Sequence, residues 1–156
     1  MSDKNVPSIW ERYLTKEIGI EFKACLYFFA ILFFYCVYRI IGGVYVASIL
    51  HMAEMIFTCY GICYLQVYAF ANFDEAEQLK VRECMGMAVC TLIYCLISYV
   101  GGWFGKSILP TVLFACYLLL TYFCVFLIYK YKRLIDDKTL NAELKLFQTE
   151  HKKERE

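Results

Sequence analysis

One 16-residue pattern occurs twice in this chain, and that repeat constrains the fold more than any other feature. Tyr35-Cys36, Gly42-Gly43 and Ser48-Ile49-Leu50 return as Tyr94-Cys95, Gly101-Gly102 and Ser107-Ile108-Leu109, at an offset of 59 residues with no gap. Seven of the 16 positions are identical, where chance would give on the order of one. Cys25 and Cys84 match at the same offset. Each copy lies in an apolar stretch long enough to cross a bilayer, turn and cross back. The pattern therefore predicts two copies of a transmembrane helical hairpin.

Composition agrees. Hydrophobic residues make up 61% of the chain and the mean hydropathy is +0.51, too high for a soluble domain of this size. The net charge of +1 hides a sharp segregation. Nearly all charges fall in residues 1–23, 72–83 and 130–156, and the apolar stretches between them carry only Arg39, Glu54 and Lys106, plus His51.

The expected fold is all-α and integral to the membrane. Four spans are predicted at about 24–41, 45–71, 84–102 and 107–129, each above the minimum of about 17 residues. The second is long enough to require tilt or projection. Residues 1–23 read as an amphipathic helix on the membrane surface, 24–129 as the four-helix domain and 130–156 as a cytoplasmic amphipathic tail helix. Basic residues set the orientation. Fourteen of the 16 Lys and Arg, among them Lys4, Arg12, Lys16 and Lys23, lie on the side of the termini, against Arg39 and Lys106 on the other. Both termini are therefore expected in the cytoplasm, and two copied hairpins in parallel orientation, related by an axis along the membrane normal. About twenty mostly polar residues precede the first span, which reads as an uncleaved signal anchor.

Local chemistry fills in this outline. Ser8-Ile9-Trp10-Glu11 fits a capping box, and Trp10, Tyr13, Leu14, Ile18 and Phe22 follow at helical spacing, as expected of a helix in the membrane interface. The four turn glycines, Gly42, Gly43, Gly101 and Gly102, suit tight outer turns without any ligand. The charged stretch from Asn72 to Glu83 reads as a solvated cytoplasmic turn. In the tail, Leu140, Leu144 and Phe147 share one stripe among charges. Such a short helix needs a surface or a partner to bury that stripe.

Few residues suggest chemistry. Arg39 and Glu54 fall at similar heights near the outer edge of the hydrocarbon, roughly 24–27 Å from the inner interface at 1.5 Å per residue. An isolated charge there costs about 2.5–3.5 kcal/mol, so an ion pair is expected, with a ligand- or proton-sensing role and exposure to outer water as the alternatives. His51 stands three residues before Glu54 on the same face, and together they are too few to hold a metal. Nine cysteines, eight of them inside spans, read as reduced packing residues rather than a disulfide framework. No phosphate loop, nucleophilic triad or paired-carboxylate arrangement is present. The sequence therefore predicts no catalytic residue, no metal and no cofactor, and no direct nucleic-acid binding.

The run from Phe33 to Phe73, with Gly-Gly, Ser-Ile-Leu-His-Met-Ala-Glu-Met and Asn72-Phe73-Asp74-Glu75, resembles a family of small bacterial membrane proteins. So does Phe123-Cys124-Val125-Phe126-Leu127-Ile128 leading into Lys130, Lys132, Arg133 and Asp136. The family is domain of unknown function 3021, and the resemblance covers about residues 20–147. Its members have four spans and are often encoded beside LytTR-type DNA-binding regulators. The resemblance implies a protein of the bacterial cytoplasmic membrane that restrains such a regulator. It carries no catalytic motif.

Three functions remain to be weighed. A regulatory protein would contact its cytoplasmic partner through Leu140, Leu144 and Phe147, with Trp10 and Leu14 as further contacts. A small dimeric multidrug-type transporter would use Glu54, although that carboxylate lies in the second helix and seats shallowly. An assembly subunit of a larger membrane complex would use its wide aromatic faces. Lipids are partners in every case, and a homodimer is left open.

Overall fold

The computed structural model describes residues 9–70 and 72–153, and every regular element among them is helical. Helix α1 spans Ile9–Ile41, α2 Ile49–Ala69, α3 Val81–Val100 and α4 Ile108–Lys153, with a single 3-10 turn at Phe73–Glu75 between α2 and α3. Ser8 and its capping box, with Lys4, lie outside the described residues.

The repeat is written into the backbone. At the 59-residue offset, α1 and α3 end at equivalent residues, Ile41 and Val100, and α2 and α4 begin at equivalent residues, Ile49 and Ile108. The first three bonds of each turn match. Gly42, Gly43 and Val44 donate their amides to the carbonyls of Tyr38, Ile40 and Arg39, and Gly101, Gly102 and Trp103 to those of Ile97, Tyr99 and Ser98. Each set is a Schellman motif that satisfies the last helical carbonyls. The motif needs a left-handed residue, and Gly43 (φ +73°) and Gly102 (φ +70°) supply it.

Burial follows the same register. Tyr35 and Tyr94, Met55 and Phe114, Cys59 and Leu118, and Cys63 and Tyr122 are equivalent pairs, and all eight residues are at most 1% exposed. Helices pack most closely within each hairpin, α1 on α2 and α3 on α4. Across the hairpins, the Tyr117 hydroxyl donates to the Ala30 carbonyl at 3.0 Å, tying α4 to α1.

Three helices, α1, α3 and α4, are long and apolar enough to cross a membrane, as a helical membrane protein requires. The sequence predicts four. The exception is α2, whose 21 residues include His51, Glu54 and Gln66. It also begins at Ile49 rather than near 45, because the Schellman turn leaves residues 44–48 without regular structure and Ser48 caps the helix by accepting from the His51 amide. The long, overhanging second helix is therefore absent.

The predicted terminal helices are not separate elements. Residues 9–23 continue directly into the first apolar run as α1. Lys16 lies 3.9 Å from the Tyr68 ring centre and Tyr64 donates to Glu17 at 2.7 Å, so this segment runs beside the end of α2. Likewise α4 is unbroken for 46 residues, roughly 69 Å at 1.5 Å per residue, more than twice the hydrocarbon thickness of about 30 Å. Pro110 does not interrupt it because it falls in the first turn, where no intrahelical amide bond is lost.

Candidate functional site

The two ends of the bundle carry different polar clusters. One is buried around Lys23 and the other gathers at the Gly-Gly turns.

Lys23 is 2% exposed, and its ammonium lies 3.0 Å from Asp74 Oδ1 and 2.7 Å from Glu75 Oε1. It also donates to Asn72 Oδ1. The other Asp74 oxygen accepts from the Tyr27 hydroxyl at 3.0 Å. Burying charge is tolerated only when it is paired and hydrogen-bonded, and these four contacts meet that condition. Lys23 lies one residue before the apolar run 24–41. Burial alone would lower its pKa, but Asp74 and Glu75 outweigh it and the pKa is raised, so the side chain stays charged.

Local sequence explains how residues 72–75 reach the interior. Asn72 adopts the left-handed conformation (φ 58°), which Asn tolerates, and so turns the chain inward after α2. Phe73 is fully buried and packs against Tyr122 with ring centres 5.1 Å apart. Gly86 makes room for it, since a Cβ there would lie 2.9 Å from Phe73 Cδ1. Arg133 of α4 closes the turn from outside by donating to the carbonyls of Glu75 and Ala76 at 2.6 and 3.0 Å. The expected solvated loop thus buries Phe73 and Asp74 at a junction between α1, α3 and α4, with Glu75 at its exposed rim, and Lys23 is part of the core rather than a surface charge.

At the other end the expected ion pair does not form. Arg39 Nη2 donates to the Val46 carbonyl at 3.0 Å, stitching the extended segment to α1. Glu54 Oε2 accepts instead from the Trp103 indole at 2.8 Å. Equal height is not adjacency, because each side chain turns to a different partner. His51 is engaged elsewhere, its Nδ1 3.1 Å from the Tyr35 hydroxyl, which also accepts from the Ser48 amide at 3.4 Å. Arg39, His51 and Glu54 therefore serve three different contacts.

Trp103 and Phe104, each 1% exposed, plug this end of the bundle. Phe104 meets Phe34, Tyr38 and Phe114 with ring centres 5.1–5.6 Å apart, and the Tyr38 hydroxyl donates to its carbonyl at 3.2 Å. The equivalent residues in the first copy, Val44 and Tyr45, are exposed. The two turns share their Schellman bonds, but the second then departs from the first. Gly105 and Lys106 take positive φ, and the amides of Gly105 and Ser107 donate to the carbonyls of Gly102 and Phe104. Only the second turn folds over the core. Gly101 is tightly enclosed, because a Cβ would lie 2.9 Å from both Glu54 Oε2 and Trp103 Nε1.

The candidate contact residues for a partner are all exposed: Leu140 60%, Leu144 52%, Phe147 60%, Trp10 74% and Leu14 56%. All nine cysteines are free, with Cys59, Cys63 and Cys90 in the core. Among the described residues no group of three His, Cys, Asp or Glu could hold a metal ion.

Sequence reasoning singled out neither Lys23 with Asp74 and Tyr27 nor Trp103. A lysine preceding an apolar run and an Asn-Phe-Asp-Glu turn lie 51 residues apart at Lys23 and Asp74, and no periodicity links them. Comparison of the chain with protein-family models, with curated proteins and with solved structures finds no match in any of the three.

Proposed function

We propose that this chain is a non-enzymatic regulatory protein of the bacterial cytoplasmic membrane that restrains a cytoplasmic LytTR-type DNA-binding regulator. In this reading α2 also spans the bilayer, giving four spans with both termini in the cytoplasm. Its 21 residues give about 31 Å at 1.5 Å per residue, and two hairpins sharing one turn geometry both need a returning helix.

The observation that carries the proposal is the continuity of α4. One helix links Phe114, Leu118 and Tyr122 in the core with the exposed Leu140, Leu144 and Phe147. Movement of the bundle is therefore passed to the tail without a hinge. Between them Arg133 grips the carbonyls of Glu75 and Ala76 beside the buried Asp74, which itself is tied to α1 through Lys23. The resemblance to domain of unknown function 3021 supplies the class of partner.

Restraint operates by mass action, since a regulator held at the membrane is withheld from DNA. A signal acts to the extent that two packings of the bundle bind the regulator differently.

The test is purification of the tagged full chain from native membranes in mild detergent. A DNA-binding regulator should co-purify and be lost when Leu140, Leu144 and Phe147 are all changed to Ser, with membrane insertion unaffected. Recovery of other membrane subunits alone would refute the proposal in favour of an assembly role.

A further inference from the structure

We infer that the face between α2 and α3 holds a binding site for lipophilic organic monocations, with Glu54 as the counter-ion. The inference does not depend on the regulatory reading. An apolar groove of about 600 Å³ runs along this face, walled by Leu50 and Phe57 of α2 and Leu96 and Val100 of α3, with Glu54 and Gly101 in its lining. That volume suits a compact organic ligand.

Charge selects the occupant. Glu54 receives one hydrogen bond from the neutral Trp103 indole, and no ion pair engages it among the described residues. Arg39, the cation nearest in expectation, is committed to the Val46 carbonyl, and His51 to Tyr35. A carboxylate beside apolar walls attracts a single positive charge more strongly than one in bulk water. The walls require the rest of that ligand to be apolar. Gly101 lets Glu54 and Trp103 pack closely against it, where any side chain would press on the carboxylate oxygen. The second copy has no such carboxylate, because Glu54 aligns at the 59-residue offset with Leu113.

The test is titration of the purified full chain in detergent with tetraphenylphosphonium, and with tetraphenylborate as an anion of the same shape. The cation should bind saturably, one per chain, and at least tenfold more tightly than the anion. Glu54→Gln should weaken cation binding at least tenfold, while its amide oxygen still accepts from Trp103 and preserves the unfolding midpoint. Leu96→Trp, at an exposed position, should block the groove with Glu54 intact. Equal binding of cation and anion would overturn the inference. So would undiminished cation binding in Glu54→Gln, or, if that variant does not fold, undiminished binding in Leu96→Trp. A tightly co-purifying phospholipid that the cation does not displace would also overturn it.

Discussion

Lys23 and Asp74, 51 residues apart in sequence, meet at 3.0 Å with both side chains almost fully buried. This contact converts a charged connecting segment into a structural junction, and it ranks the residues around it. Removing one member of a buried pair strands the other, at a cost of about 3–5 kcal/mol. Asp74→Ala should lie near the lower end of that range, because Glu75 and Asn72 still reach Lys23. Glu75 is 43% exposed, so Glu75→Ala should cost less than about 1 kcal/mol. Unfolding of the two variants in detergent, compared side by side, checks the order. Equal losses would contradict the buried-junction account.

Two helical glycines should respond in opposite directions to the same substitution. Gly86→Ala would place a methyl group 2.9 Å from Phe73 and 3.2 Å from Phe70, and overpacking of this kind costs about 1–3 kcal/mol. Gly61 has nothing within 4 Å of an added Cβ, so Gly61→Ala should stabilise α2 by up to about 1 kcal/mol. Thermal unfolding midpoints should move apart, one down and one up.

The turn glycines should show the limits of the repeat. Gly43→Ala and Gly102→Ala should cost similar amounts, about 1–2 kcal/mol each, because both force a side chain into the left-handed region. Gly42 and Gly101 should differ. The nearest atom to a Cβ at Gly42 is 3.4 Å away, an ordinary contact, whereas at Gly101 it is 2.9 Å. Gly101→Ala should therefore be the more damaging, and equal effects would mean that the second turn does not close over Glu54.

Arg39 and Glu54 should behave as independent sites. A double-mutant cycle with Arg39→Ala and Glu54→Ala should be additive within about 0.5 kcal/mol. A cycle joining Glu54→Ala with Trp103→Phe should show coupling of about 1 kcal/mol, the usual worth of one hydrogen bond or slightly more for a charged acceptor. Strong coupling in the first cycle would restore the ion pair.

What could be read in the sequence depended on whether the signal was local or repeated. The Gly-Gly pairs and the 59-residue offset mark where α1 and α3 end and where α4 begins, because the Schellman turn is encoded within a few residues, whereas α2 starts later than expected, at the Ser48 cap. The apolar segment Val44-Tyr45-Val46 misled for the complementary reason. Its hydrophobicity suited a helix, but the turn geometry had already fixed its backbone. Asp74 reads as solvated beside Glu75 and Glu77 because its buried partner, Lys23, comes from another helix. Arg39 and Glu54 were matched by height along their helices, a coordinate that says nothing about which way each side chain turns. The continuity of α4 through Asp136-Asp137 was also hidden, since two acidic residues neither break a helix nor cap one unaided.

The most direct test of the regulatory account is where the regulator resides in the cell. With the native chain it should sediment with membranes, and with Leu140, Leu144 and Phe147 changed to Ser it should move to the soluble fraction while the membrane protein stays in place. A regulator that remains membrane-bound in the substituted strain, or that is soluble in both, would contradict the claim that the α4 tail holds it.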